Sequence, residues 1–442
     1  MIMNYVFILL SLLLIIVVLV NQKLGLKFFL IAILIYPYLK FGQYVARIDL
    51  FLTPVIFLLF LVKSRSLSFK INKVFLFLLT LFIWYVLVTA SQLLLYENYT
   101  EVQLVSFYSL LMLLLVTFIF SNIDFSEKDM LELIIIFGIL AIPISLFTIG
   151  QFIGNKFITS ITINSYISLS REVPAKILLG TYGRLIRAIG VFETPVYAAS
   201  YFLLVMINNF IILSDLFHRI GRALRLLLIF STILSIIGGI LTLSSTFLAG
   251  IVVMILIFII LDSRKKTKLI SIGILLLFVA LLNIFMKISP QLQSPLFGVL
   301  SYQINRIIDF SLFNTRYGDS GLLNSTIKAI TERPVTGWGL VSQEGIFIGD
   351  SQYVTLLYNG GVIALVLFLG FIKMVISTSQ KDKYYGKLIL FWTLILMATG
   401  VGSPSFFIPR LQTWYWVITA ISLNVMERRK LEYALQDSSN NT

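Results

Sequence analysis

The sequence predicts an all-α fold, a polytopic transmembrane bundle of about 12–14 membrane-crossing helices with two long external loops that contain short amphipathic helices. Three observations lead there. Hydrophobic residues make up 59% of the 442 positions and charged residues 12%, with a mean hydropathy of +0.98, far from the composition of water-soluble domains. Apolar runs near the roughly 20 residues that a helix needs to cross the hydrocarbon layer recur along almost the whole chain. Those runs are continuous rather than alternating, which fits helices with internally satisfied backbones and excludes the dyad pattern of a membrane barrel.

Taken in order, the apolar segments lie at about 4 to 20, 26 to 39, 50 to 62, 74 to 95, 103 to 120, 130 to 152, 195 to 213, 224 to 242, 246 to 261, 268 to 287, 351 to 376, 387 to 402 and 406 to 425. The first, from Tyr5 to Val20, lacks a basic leader and a small-residue cleavage site, so it reads as a retained helix. The second and third are short for a full crossing. Thr194-Pro195 opens the seventh with a capping hydroxyl followed by proline at the first helical position. Ser244-Ser245 divides the eighth from the ninth. The polar stretch Asp437 to Thr442 reads as a frayed tail, and the whole chain, 1–442, reads as one integral membrane domain.

The net charge of +14 raises the question of nucleic acid, but its placement answers otherwise. Seventeen of the 34 basic residues fall in five short loops around Lys63–Lys73, Arg219–Arg225, Arg264–Lys268, Lys381–Lys387 and Arg428–Lys430. Basic residues in alternate short loops mark the cytoplasmic side, and they make no continuous basic stripe for a nucleic acid. The C-terminus then lies inside. One loop dissents: Asp124, Glu127 and Asp129 outweigh Lys128 on that same side.

The same alternation leaves two long connections outside, 153–194 and 289–350, with room for a site. The first has an excess of positive charge, Lys156, Arg171, Lys176, Arg184 and Arg187 against Glu172 and Glu193, in the compartment where such charge is disfavoured. An anionic ligand would compensate it. In the second, Leu300, Ile304, Ile307 and Ile308, then Leu323, Ile327 and Ile330, recur at helical spacing and predict two surface helices. Pro334 and the Gly337-Trp338-Gly339 turn lead the chain back to the bilayer.

The chain has no cysteine, so thiolate catalysis and zinc-cysteine sites are excluded. Its single histidine, His218, stands among Arg219, Arg222 and Arg225 as a solvated surface residue. The external polar residues are better candidates. Arg184 and Arg187, three apart, could face one ligand, and guanidinium forks match phosphate oxygens; equally, they could meet lipid headgroups or balance Glu193. Arg316 precedes the second surface helix. Asp350 reads as the N-cap of the eleventh segment, worth about 1 kcal/mol, or as a general base, and the two roles can coexist. Glu193 and Glu344 are alternative carboxylates. Tyr302, Tyr317, Trp338 and Tyr353 could line a sugar-binding cleft, although interfacial aromatics are common without any ligand.

The run Arg187-Ala-Ile-Gly190-Val-Phe-Glu-Thr-Pro195 resembles the first periplasmic loop motif of the O-antigen polymerase and O-antigen ligase superfamily. Arg316, then Ile327-Lys-Ala329-Ile330, Arg333-Pro334-Val-Thr-Gly337-Trp-Gly339, Asp350-Ser-Gln-Tyr353 and Leu357-Tyr-Asn-Gly360-Gly361, resembles its second. The likeness covers roughly residues 180 to 200 and 310 to 370. It implies an inverting glycosyltransferase of the bacterial inner (plasma) membrane, acting on the external face on undecaprenyl-diphosphate-linked oligosaccharide and polysaccharide, with no cofactor and no metal. Arg187 and Arg316, with Arg184, would bind the diphosphate, and Asp350 would be the catalytic base, with Glu193 or Glu344 as substitutes. Ligases usually carry a histidine where Asp350 stands, which favours a polymerase; a chain-length regulator protein would be a partner beside membrane lipids. The alternatives are ligase-type transfer to an acceptor and, from another class, a lipid-linked oligosaccharide flippase. The lack of an internal repeat and of charges deep in the apolar segments argues against the last.

Overall fold

In the computed structural model the described residues are 2–41, 44–64, 69–95, 101–166, 187–262, 295–309, 311–380 and 384–440, with scattered positions between 264 and 284 and Asp382. Helices account for most of them, and the fold is an all-α polytopic bundle. Helices α1 (Ile2–Val20), α2 (Gln22–Ile35), α3 (Ile48–Lys63), α4 (Lys73–Leu95), α5 (Leu104–Asn122), α6 (Glu127–Ile139), α7 (Ala141–Phe152) and α8 (Lys156–Ser165) precede the first long gap in description. After it come α9 (Pro195–Asp215), α10 (Arg222–Leu241), α11 (Ser245–Leu261), α12 (Pro295–Ile308), α13 (Ser311–Tyr317), α14 (Asn324–Glu332), α15 (Gln352–Ser379), α16 (Tyr385–Thr399) and α17 (Leu411–Asn440).

Six continuous helical stretches among the described residues are long and apolar enough to cross a membrane: α4, α5, α6 with α7, α9, α10 and α15. α2 and α3, at 14 and 16 residues, are short, as the sequence predicts. The segment at 130 to 152 falls within the one helical stretch Glu127–Phe152, in which a single turn residue, Leu140, marks α6 off from α7 just before Pro143, whose missing N–H and ring bulk weaken the ladder there. The segment at 268 to 287 lies mostly outside the described residues. Two small antiparallel pairs, β1 (Leu39–Phe41) with β2 (Tyr44–Ala46) and β3 (Glu101–Val102) with β4 (Val341–Ser342), join loop to loop; strands this short carry no periodicity to read.

The chain forms two compact units, one of residues 1–136, 325–390 and 406–442, the other of 137–324 and 391–405. In the first, α17 brings a run of buried aromatics into the centre. Trp414 and Trp416 donate their indole N–H groups to the carbonyls of Leu30 and Phe406, both at 3.0 Å, so each large ring is buried without an orphaned donor. One end of this unit gathers the charges. Arg428 pairs with Asp124, Arg429 with Glu127 and, at 2.7 Å, Asp382, and Lys27 reaches Asp129 and Glu132, each at 2.6 Å. Hydrogen bonding to Glu127 holds the Arg429 guanidinium above its ordinary range, against the lowering effect of burial. The acidic loop that ran against the charge rule is thus the counter-ion set for basic residues at that same end.

In the second unit α9 is the most enclosed helix, packed on α10 and α11. Its start follows the sequence expectation: Thr194 caps the helix by accepting from the Tyr197 N–H, and Pro195 occupies the first turn. Asn209, fully buried, donates to the Leu228 carbonyl and the Ser231 hydroxyl at 3.3 and 3.2 Å and so binds α9 to α10. At the far end of α9, Arg264 pairs with Asp215 and, at 2.9 Å, with Asp262. The Asp262 hydrogen bond raises the Arg264 pKa further. With 21 residues, α9 separates that basic end from Thr194 by about 30 Å.

Candidate functional site

The first loop is organised by a residue the sequence reading passed over. Gln151, fully buried at the end of α7, accepts through Oε1 from the N–H groups of Ile189 and Gly190, each at 2.9 Å. Its Nε2 donates to the Gly190 carbonyl at 2.8 Å and the Thr162 hydroxyl at 2.7 Å. All four of its hydrogen-bonding directions are engaged, and the loop is fixed on both backbone faces. Gly190 has φ +60°, and a side-chain carbon there would stand 2.9 Å from the Thr148 hydroxyl, so glycine is required twice over. A glutamine at the end of an apolar run carries no motif, which is why nothing in the sequence marked it.

This clamp places Arg187. The Ala188 N–H donates to the Leu241 carbonyl at 3.2 Å, and Arg187 Nε reaches the Thr242 carbonyl at 3.4 Å. Residues 242–244 are the break between α10 and α11. Leu243 adopts φ +47°, and Ser244 caps α11 by accepting from the Thr246 N–H at 3.2 Å. The Ser244-Ser245 division read from the sequence is therefore a real helix boundary.

Arg316 faces the first turn of α11 across a cavity. It stands in the last turn of α13, and its carbonyl accepts from the Leu323 N–H at 2.9 Å, closing the turn that leads to α14. Arg316 lines a cavity of about 270 Å³ together with Ser245 and Thr246 of α11, Tyr317, Thr399 at the end of α16 and Gly402 beyond it. A side-chain carbon on Gly402 would meet Arg316 Nη1 at 3.2 Å and Cζ at 3.4 Å, so the guanidinium rests on a bare backbone surface. Tyr317 donates its hydroxyl to the Val401 carbonyl and ties α13 to that wall. Arg187 thus reaches Thr242, and Arg316 shares a cavity with Ser245, three residues further along the chain. Both stand at the end of the unit away from Arg264. Glu193 lies half-buried in the turn between Arg187 and α9. Arg184 lies outside the described residues.

In the first unit the glycine-rich motifs form a clasp. The long helix α15 is interrupted at Gly361, whose φ of 62° and ψ of −162° break the backbone ladder. The carbonyls and amides freed there are taken by the Arg333–Gly339 segment. Trp338 and Gly339 donate to the carbonyls of Tyr358 and Asn359 at 2.7 and 3.0 Å, and Val362 donates to the Pro334 carbonyl at 2.8 Å. A side-chain carbon on Gly361 would lie 2.1 Å from the Val335 carbonyl oxygen, and one on Gly337 2.6 Å from that of Tyr358. The Trp338 indole N–H donates to the Ala329 carbonyl at 2.8 Å, with Arg333 stacked over its ring at 4.2 Å. Pro334, Gly337, Trp338, Gly339, Gly360 and Gly361 are accounted for by this packing, and Trp338 is a buried anchor and no open sugar platform.

The carboxylates of this unit differ in setting. Asp350 is not the N-cap of α15. Ser351 holds that position, accepting from the Val354 N–H, because the helix begins at Gln352 and the capping hydroxyl belongs to the residue directly before it. Asp350, half-buried, stands one step further out. Glu344 is exposed on a turn with Gly345 at φ +73°. Thr326 and Ser325 of α14 donate to the carbonyls of Phe347 and Gly345 at 2.6 and 2.9 Å, so the approach to Asp350 is strapped to the surface helix. The two surface helices read from spacing are present as α12 and α14; α13, which carries Arg316, is a third, too short for its periodicity to register. Tyr302 is half exposed on α12, and Tyr353 lies half-buried in the first turn of α15. His218 is exposed in the turn Phe217–Arg219, as expected.

No protein-family model and no curated protein sequence matches this chain.

Proposed function

We propose that the chain is a polysaccharide polymerase, an inverting membrane glycosyltransferase that joins undecaprenyl-diphosphate-linked repeat units on the external face of a bacterial plasma membrane, with its C-terminus cytoplasmic. The observation that supports this reading is that Arg187 bonds to Thr242 at the break between α10 and α11 while Arg316 lines a cavity with Ser245 and Thr246 of the first turn of α11, at the end of that unit remote from the basic loop around Arg264. Two guanidinium groups near one helix break would suit an anion with two phosphates, and bidentate donors oriented in advance stabilise charge as it develops on a leaving group.

In the reaction an acceptor-sugar hydroxyl attacks the anomeric carbon of the donor glycan. The new carbon–oxygen bond forms as the bond to the diphosphate breaks, the electron pair leaves on the lipid diphosphate, and the hydroxyl proton passes to a carboxylate. Asp350 is the carboxylate assigned to that step, with Glu193 and Glu344 as the competing assignments. Arg187 and Arg316 hold the leaving diphosphate. The absence of histidine at position 350 favours polymerisation over ligation.

The test is reconstitution of the purified chain in liposomes with the lipid-linked repeat unit of its own cell. A ladder of glycan lengths is expected; one transfer only, and only when a second acceptor is supplied, would identify a ligase. Repeat units moved across the bilayer without being joined would identify a flippase.

A further inference from the structure

The first unit has a cavity of its own, of about 300 Å³, where the turn between α1 and α2 meets the ends of α3 and α5. Its lining is largely polar: Lys63 and Ser64 close α3, Gln22 opens α2, and Asp124 stands just beyond α5. Asn122 accepts from the Lys70 N–H at 2.6 Å and donates to the Lys70 carbonyl at 3.3 Å, which fixes the loop that brings Phe69 to the cavity. Among the described residues Lys63 and Asp124 do not pair with each other. The Lys63 ammonium donates to the carbonyls of Val18, at 3.3 Å, and Leu19 at the end of α1, and a third hydrogen remains for another acceptor. Asp124 pairs with Arg428 through one oxygen, and its side chain is 77% exposed. The Ser64 hydroxyl is buried and has no hydrogen-bond partner among the described residues, a costly state for a polar group. Next to the cavity the flanks of α1 and α3 are apolar and open: Leu19, Val20, Leu58 and Val62 are all exposed, Val20 and Val62 by 82% and 84%. α5, long and apolar enough to cross a membrane, ends here, so the cavity lies where headgroups meet hydrocarbon.

We infer that this cavity binds an aminophospholipid of the phosphatidylethanolamine type. The lipid phosphate accepts from Lys63, Ser64 and Gln22, the ammonium donates to Asp124, and the acyl chains lie on the exposed flanks of α1 and α3. Opposite charges held apart in one small cavity select a zwitterion, and the apolar flanks select one that carries hydrocarbon. A phosphatidylglycerol headgroup has no cation for Asp124, and a phosphatidylcholine headgroup has no N–H to donate to it. The site takes no part in glycan transfer, so its test and that of the polymerase reading succeed or fail separately.

The test is native mass spectrometry of the full-length chain in detergent, titrated with the dioleoyl forms of phosphatidylethanolamine, phosphatidylcholine and phosphatidylglycerol and with water-soluble glycerophosphoethanolamine. Phosphatidylethanolamine is expected to bind about fivefold or more tightly than the other two lipids. Glycerophosphoethanolamine should bind about a hundredfold or more weakly, because it leaves the apolar flanks uncovered. Asp124→Asn should abolish the preference for ethanolamine while phosphatidylglycerol binds as well as before or better, since Arg428 is released. Asp124→Glu, which keeps the carboxylate, should retain the preference, so that a loss confined to the asparagine variant is not a loss of fold. Ser64→Ala should weaken all three phospholipids by a similar factor, about threefold or more. Equal binding of the three lipids by the parent, or a preference that survives Asp124→Asn, would overturn the assignment. So would glycerophosphoethanolamine bound as tightly as the intact lipid, which would mark a site for a soluble phosphate ester.

Discussion

Arg316 lies flat against Gly402: any side chain at position 402 would meet the guanidinium at 3.2 to 3.6 Å along its whole width. The glycine therefore sets how far the arginine can withdraw from Ser245 and Thr246 across the cavity. Gly402→Leu should push the guanidinium out of place and lower the polymerisation rate about tenfold or more, as expected when a charge-stabilising donor is displaced, with little change in thermal midpoint. Gly402→Ala, whose single carbon makes a close but adjustable contact, should cost much less. Initial rates in the liposome assay, with unfolding curves alongside, check both.

The Gln151 clamp should be a stability determinant as well as a positioning one. Gln151→Leu removes partners from two buried N–H groups and a carbonyl, and a destabilisation of about 3 kcal/mol or more is expected. Gln151→Glu keeps an acceptor for the Ile189 and Gly190 amides but loses the donor to the Gly190 carbonyl. It should fall between the parent and the leucine variant in thermal unfolding.

Replacing Gly361 by alanine should be more damaging than replacing any other glycine of α15. The added carbon strikes the Val335 carbonyl at 2.1 Å in a backbone conformation that L-residues rarely adopt. The clasp between the Pro334–Gly339 segment and α15 should open, exposing Trp338. A red shift of tryptophan emission and faster proteolysis within residues 333–350 are the measurements; unchanged emission and cleavage would mean that the clasp does not depend on this geometry.

Substitution of the carboxylates separates their roles. Asp350→Asn, which does not remove a cap because Ser351 is the cap, should lower the rate about a hundredfold or more, the usual effect of losing a general base. Glu344→Gln, on an exposed turn, should be close to neutral. The same loss in Glu193→Gln instead, with Asp350→Asn active, would transfer the role to Glu193.

The long helices, the cap at Thr194, the boundary at Ser244 and the surface helices α12 and α14 were legible because each has a local signal: length of an apolar run, a capping hydroxyl before proline, or apolar residues at helical spacing. The motif residues from Arg333 to Gly339 and from Leu357 to Gly361 were legible as a pattern, but their partnership was not. A hydrogen bond from Trp338 to Tyr358 joins backbone groups, which leave no trace in side-chain identity. Gln151, Ser245, Thr246 and Gly402 were missed for a related reason. Each is a small or isolated polar residue near a helix end that carries no motif of its own, and only the fold shows what it faces. The cap was misassigned to Asp350 because both Asp350 and Ser351 are good capping residues, and the sequence alone does not choose between adjacent ones.

The account depends most on Arg187 and Arg316 sharing the external side of the membrane. The chain contains no cysteine, so single cysteines introduced at exposed positions report their side without background. Lys156→Cys in α8 and Asn314→Cys in α13 stand for the two arginine-bearing loops, and His218→Cys for the basic end of α9. With a membrane-impermeant maleimide, the first two should label in cells whose plasma membrane is intact, and His218→Cys only after that membrane is permeabilised. Labelling of positions 156 and 314 from opposite sides, or of both only after permeabilisation, would contradict the account.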